Sequence, residues 1–252
     1  MSRQARLREA RGKIAAIEGR AALGYGVLAF GDPDIDGSLP GGGLPLGRWH
    51  EVVGEGLEVE TAAAAAAFVA ALAAPLAARG AVVWVMRRDD LYAPGLAGLG
   101  FPAQRLIQVK ASGEAQVLAA LEDALGCAGV VAAIGEVEGV DLTGGRRLQL
   151  ACERAGATGF LIRRRPFGGA PRRHAAGSAA ATRWKIAGAP SDPAPGEPGL
   201  GAPRWRVTLE RCRGGPGRAW ILEKSDGAYP LRVVARLGDR QLETAQPLRL
   251  AG

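Results

Sequence analysis

The chain is poor in the side chains that build metal centres and covalent cross-links. Its 252 residues include two histidines, His50 and His174, and three cysteines, Cys127, Cys152 and Cys212. No C-x-x-C pair occurs, and a zinc site needs more ligands at closer spacing. What remains is a set of reduced, mostly buried thiols. His50 lies in a β-branched run and reads as a packing or hydrogen-bonding residue, not a base. Aromatics make up only 5% of the chain. No apolar run reaches the ~20 residues that span a bilayer. The start, Met1-Ser2-Arg3-Gln4-Ala5-Arg6, has no apolar core behind it, so no signal peptide is read. The expectation is a cytoplasmic protein with no membrane contact, no metal and no cofactor.

What is present is a loop with familiar punctuation and the wrong chemistry. Arg48 to Val53 reads as a strand. Gly54-Glu55-Gly56-Leu57-Glu58-Val59-Glu60-Thr61 follows it. Ala62 to Arg79 then has strong helix propensity, with Pro75 near its end. Strand, glycine-bearing turn and helix are the context of a phosphate loop, G-x-x-x-x-G-K-[ST]. Gly54 occupies the first glycine and Thr61 the last position, but Val59 replaces the second glycine and Glu60 the lysine. A carboxylate at Glu60 would face phosphates at contact distance and repel them by several kcal/mol. Val59 does not take the positive φ that glycine takes freely. An ordinary strand-to-helix connection is the competing reading of the same residues.

Downstream the pattern repeats strand and helix. Strands are expected at Val82–Met86, Leu106–Lys110, Gly129–Ile134 and Gly159–Ile162. Helices are expected at Glu114–Leu125 and Thr143–Ala155, the latter with Thr143 as N-cap and Gly156 as C-cap. The order resembles the ATPase core of RecA-type recombinases, and more narrowly the ImuA family, RecA-like accessory proteins of bacterial mutagenesis cassettes. The stretch Leu44-Pro45-Leu46-Gly47-Arg48-Trp49-His50-Glu51-Val52, the damaged loop and the late Trp/Arg strands carry that resemblance, from about Ala21 to Lys224. It implies an α/β fold: a RecA-like, P-loop-NTPase-derived core with a mostly parallel central sheet flanked by helices and a C-terminal antiparallel extension.

Compared with working recombinases, the chain has Arg87 and Arg88 where a catalytic Glu follows the second core strand. It has Gly135 before its first carboxylate, Glu136, where the Walker B strand should end in Asp. It has Arg163-Arg164-Arg165 where a phosphate-sensing Gln belongs. With the altered loop, four parts of an ATP engine are missing together. The resemblance therefore implies a pseudo-ATPase: a non-catalytic factor in SOS-induced error-prone translesion DNA synthesis. Its implied partners are an ImuB-type inactive Y-family polymerase homologue and an error-prone replicative-type DNA polymerase, with RecA as a further candidate. The alternatives are a residual recombinase-type DNA-dependent ATPase, drawing charge from Arg87, Arg88 or Lys110, and a modulator of RecA filaments. Gly54, Glu60 and Thr61 are the positions a nucleotide would have used.

Charge is uneven. Residues 1–140 hold 12 Lys/Arg against 16 Asp/Glu, and residues 141–252 hold 20 against nine, giving the net +7. Such asymmetry points to a polyanionic partner. The sharpest segment is Arg163-Arg164-Arg165-Pro166-Phe167-Gly168-Gly169-Ala170-Pro171-Arg172-Arg173, leaving the carboxyl end of an expected central strand. In RecA-like proteins the second DNA loop leaves here. Arg163, Arg164, Arg165, Arg172 and Arg173 are the expected phosphate donors and Phe167 a stacking group. A solvated basic loop is the plainer reading. The interval that holds the first DNA loop of recombinases is short in this chain.

Three units are expected. Residues 1–20 read as a basic amphipathic helix that caps its own core or meets a partner. Residues 21–224 form the core. Residues 225–252 form a tail. The proline-rich stretch 187–203 reads as a loop inside the core, joining strands Thr182–Ile186 and Trp205–Arg211, with a further strand at Ala219–Glu223.

Overall fold

A computed structural model describes residues 25–164, 179–193, 196, 199–212 and 218–237, without the side chains of 59–61. The expected N-terminal helix 1–20 lies outside these residues, as does the end of the tail. The strands are β1 Val27–Leu28, β2 Leu44–Pro45, β3 Trp49–Gly54, β4 Ala81–Met86, β5 Leu106–Lys110, β6 Val130–Val137, β7 Thr158–Arg163, β8 Thr182–Ala189, β9 Arg204–Cys212, β10 Arg218–Lys224 and β11 Leu231–Leu237. The helices are α1 Pro33–Asp36, α2 Glu58–Ala77, α3 Glu114–Gly126 and α4 Leu142–Ala155. A 3₁₀ segment spans Ala93–Leu99.

The main sheet has nine strands in the order β11-β10-β9-β8-β3-β7-β6-β4-β5. From β5 to β8 every neighbouring pair is parallel. From β8 to β11 every pair is antiparallel. The result is an α/β fold with a mixed sheet between helices. The inner parallel strands β4, β6 and β7 are near-continuous apolar runs, as expected where helices cover both faces, while edge strand β5 is largely exposed. The antiparallel strands alternate: Trp184, Ile186, Trp205, Val207, Leu209, Trp220 and Leu222 are buried, with mostly polar residues between them.

Helix α2 covers one face. Its alanines let Phe68, Val69 and Leu72 come close to the sheet, with Phe68 between Trp184 and Trp205 at ring-centroid distances of 6.2 and 6.3 Å. Each fully buried side chain of this size contributes roughly 1.5–3 kcal/mol by leaving water. α3 and α4 cover the other face over β3, β4, β6 and β7.

Several boundaries differ from the sequence reading for identifiable reasons. α2 begins at Glu58, not Ala62, because the turn ends at Gly56, whose φ of +113° glycine tolerates. α2 carries Pro75 inside it and ends at Ala77, two residues short of the expected Arg79. The N-cap of α4 is Asp141, not Thr143: its carboxylate accepts from the Gly144 N–H at 2.7 Å. Gly156 closes α4 at φ +77° as expected. The sheet also continues into the expected tail, where Leu231–Leu237 pairs with β10. Alternation too weak to mark a free-standing strand suffices at an edge, where one neighbour supplies the ladder.

His50 is fully buried and joins three segments. Its Nδ1 lies 2.8 Å from Thr182 Oγ1 and its Nε2 lies 2.9 Å from the Pro45 carbonyl. The Trp184 indole donates to the same Thr182 oxygen at 2.6 Å. A consistent proton arrangement follows: Nε2–H donates to Pro45, and the Thr182 hydroxyl donates to Nδ1. Burial pushes the imidazole down to about 4, against the Pro45 bond. His50 is a neutral structural residue.

Candidate functional site

The carboxyl ends of β3, β4, β6 and β7 and the start of α2 converge on one edge of the sheet, where open α/β sheets bind ligands. Successive residues of a strand point to opposite faces, so Arg163 and Arg164 at the end of β7 part company. Arg164 turns toward the α2 side. Its Nε donates to Glu58 at 2.8 Å, its Nη1 to Glu136 at 2.7 Å, and its Nη1 and Nη2 to Asp90 at 3.2 and 3.0 Å. Glu136, in β6, is 3% exposed and also accepts from the Trp84 indole at 2.9 Å. Arg163 turns the other way. Its Nη1 donates to buried Glu51 at 3.2 Å and its Nε to the Glu138 carbonyl at 3.3 Å. Arg183 donates twice to Glu51, at 2.9 and 2.8 Å.

The electrostatics follow from this placement. Burial pushes the Glu136 carboxyl above its ordinary value, with Arg164 and Trp84 opposing. Hydrogen bonding from Arg164 holds Asp90 below the usual carboxylate range. Burial alone would lower Arg164, but Asp90, Glu136 and Glu58 outweigh it and raise the guanidinium. Arg164 thus serves three carboxylates, and Arg88, which also borders the cleft, reaches Asp90 at 3.9 Å, leaving three carboxylates against two cations. The cluster borders a cleft of about 620 Å³ walled by Ala62, Ala63, Ala66 and Ala67 of α2 and by Leu91, Tyr92, Leu96 and Leu99. A phosphate placed against the cluster would meet surplus negative charge. Roughly 4 kcal/mol of repulsion per unit charge at 4 Å follows for an effective dielectric of 20.

The sequence-expected positions divide in three ways. Gly54 ends β3, and Glu60 and Thr61 lie in the first turn of α2 with their side chains outside the described residues. Arg163 and Arg164 are both engaged with carboxylates of the chain. Arg165, Phe167, Arg172 and Arg173 lie outside the described residues. The other acids of the altered loop are also paired: Glu55 meets Lys185 at 3.2 Å and Arg206 at 3.0 Å. Arg87 lies 3.3 Å from Glu138. Among the described residues, no group of three or more His, Cys, Asp or Glu could hold a metal ion. No described helix is long and apolar enough to cross a membrane. Sequence reasoning missed Glu58, Asp90 and Glu51 as partners of the two arginines. The available signal was charge balance, since arginines at a strand end beneath a helix start need carboxylates nearby.

No protein-family model matches the chain. It is 57% identical over 234 residues to Protein ImuA of Caulobacter vibrioides strain NA1000, covering 90% of this chain and 96% of that protein. The same identity and coverage hold for Protein ImuA of a second strain, ATCC 19089. A relative this similar over nearly its full length shows that the chain belongs to the ImuA family.

Proposed function

We propose that this chain is a non-catalytic, RecA-like accessory factor of damage-induced error-prone translesion synthesis. It works beside an ImuB-type inactive polymerase homologue and an error-prone replicative-type polymerase, and its altered phosphate loop turns over no nucleotide. The observation that carries the non-catalytic part is the set of bonds from Arg164 to Glu58, Asp90 and Glu136. An internal ion-pair network occupies the edge where an ATPase would hold phosphate and magnesium, and it leaves that edge acidic. Membership of the ImuA family supports the cassette role. The basic segment from Arg163 to Arg173 remains the proposed loop contact with DNA, through Arg165, Phe167, Arg172 and Arg173. Arg163 and Arg164, at its start, are held by carboxylates of the core.

The test compares magnesium-dependent ATP binding and hydrolysis in the wild type and in Glu60→Lys. The expected result is no turnover above background in either protein with DNA present, because the charge reversal leaves Glu58, Asp90 and Glu136 in place. Robust DNA-stimulated turnover by the wild type would favour the residual ATPase instead. In cells, deletion should lower damage-induced mutation frequency, and a complementing Glu60→Ala copy should restore it.

A further inference from the structure

Half of the main sheet has one face that no described element covers. Over β8 to β11, Trp184, Ile186, Trp205, Val207, Trp220 and Leu222 all point to the α2 side. α3 and α4 pack on the opposite side, but only over β3, β4, β6 and β7. The bare face is therefore built from the alternate residues of β8 to β11, together with the ends of β3 and β7.

That face is a lattice of shared charges. Glu51 bridges Arg163 and Arg183. Glu55 bridges Lys185 and Arg206. Glu223 bridges Arg204 and Arg232. Six cations thus share three carboxylates. Arg211 stands opposite Arg183, Asp192 adds a contact to Arg204, and Glu210 lies near Arg163. Among the described residues seven cations then face five carboxylates, a positive excess of two. Between the charges stand Ala187, Ala219 and Ala235, with Ile221 opposite Arg206 and Leu237 at the outer edge as the larger apolar side chains. Four strands about 4.8 Å apart, each of seven to nine residues rising about 3.3 Å, span an area of roughly 15 by 25 Å.

We propose that this face docks the phosphate backbone of duplex DNA. The charge calls for a polyanion. The absence of aromatic groups among its described residues decides which one. Single strands are held by bases stacked on aromatic rings, whereas the tryptophans of these strands are all turned into the core. The carboxylates hold each guanidinium or ammonium group in place before binding, which limits the side-chain entropy lost on contact. Lys185 and Arg206, 36% and 37% exposed, lie mid-face and share one acid, Glu55. The inference rests neither on the absence of ATP turnover nor on the loop beyond Arg164.

The experiment measures binding of the full-length protein to a labelled mixed-sequence 30-base-pair duplex and to a 30-nucleotide single strand, between 50 and 200 mM salt. Removing both cations in Lys185→Gln/Arg206→Gln should weaken duplex binding about tenfold at the lowest salt. It should also flatten the slope of log affinity against log salt by about 2. Glu55→Gln should tighten duplex binding severalfold, because it frees both cations, an effect that a merely structural pairing would not produce. Unchanged duplex affinity in the double variant, weaker binding in Glu55→Gln, or wild-type preference for the single strand overturns the proposal. If the double variant unfolds early, the direction of the Glu55→Gln change decides alone. Arg172→Ala/Arg173→Ala separates the two DNA readings. A loss there, with both sheet-face variants unchanged, assigns binding to the loop and removes it from this face.

Discussion

Arg164 and Glu136 meet at 2.7 Å across the carboxyl ends of adjacent parallel strands, one at the end of β7 and the other in β6. Neither is freely solvated: the side chains are 10% and 3% exposed. The pair explains why two charges survive at the edge of a core. Glu136 also accepts from Trp84, and Arg164 spends its remaining donors on Glu58 and Asp90. A buried charge is tolerated when its hydrogen bonds are filled.

Arg164→Leu should therefore destabilise the fold by about 3–5 kcal/mol near neutral pH, because it strands Glu136 without its counter-charge. The deficit should depend on pH. The pKa of Glu136 is already raised by burial, so its contribution to stability is greatest below its unfolded value and is lost as pH rises through the folded value. Removing Arg164 lifts that value further. Urea unfolding of both proteins at pH 7.5 and 4.5 should give a smaller deficit at the lower pH. An equal deficit at both would mean that lost packing, not stranded charge, sets the cost.

The buried histidine supplies a slope of the opposite sign. His50 titrates near 4 in the fold against 6.5 in the open chain. The unfolded chain therefore binds more protons between those values. Stability is complete above about 6.5 and falls as pH drops toward 4, by about 3 kcal/mol in all. Asp90, held low, adds its own loss only below 3.8, and Glu136 works the other way. The difference between wild type and His50→Gln isolates the imidazole. The variant should be weaker at pH 7.5 but lose less on acidification to pH 5. Parallel stability curves for the two proteins would exclude His50 as the source.

The sequence made the scaffold legible and the charges illegible, for a physical reason. Val82–Met86 and Gly159–Ile162 announce themselves by β-branched and apolar runs, and the alternation in Thr182–Ile186 and Trp205–Arg211 marks a half-exposed pair. Those are local signals, and the strands stand where they were expected. The alternation in both flanking strands marks them as partners and not as two domains, and β8 does pair with β9; β8 runs on through Ala187–Ala189, so the connection starts later than the expected Ala187. The destination of an arginine is not local. Arg164 reaches Glu58 and Asp90, 106 and 74 residues away in sequence. Nothing in the run Arg163-Arg164-Arg165 distinguishes a phosphate donor from a core anchor. The period-2 geometry at the end of β7 sends its neighbour Arg163 to Glu51 instead.

Thiol chemistry offers an independent check on the packing around α4. Cys127 is exposed, whereas Cys152 and Cys212 are buried, and none is in a disulfide. Burial pushes the Cys152 thiol up to about 12 and the Cys212 thiol up to about 11. The thiolate is the reactive form, so at pH 8 both buried groups are protonated as well as shielded. Titration of the native protein with an aromatic disulfide reagent should modify one thiol promptly and the other two only at the rate of opening. Denaturant should release all three, and Cys127→Ser should abolish the prompt phase. A second prompt thiol that Cys152→Ser removes would mean that α4, which carries Cys152 against the sheet, detaches far more often than its buried face implies.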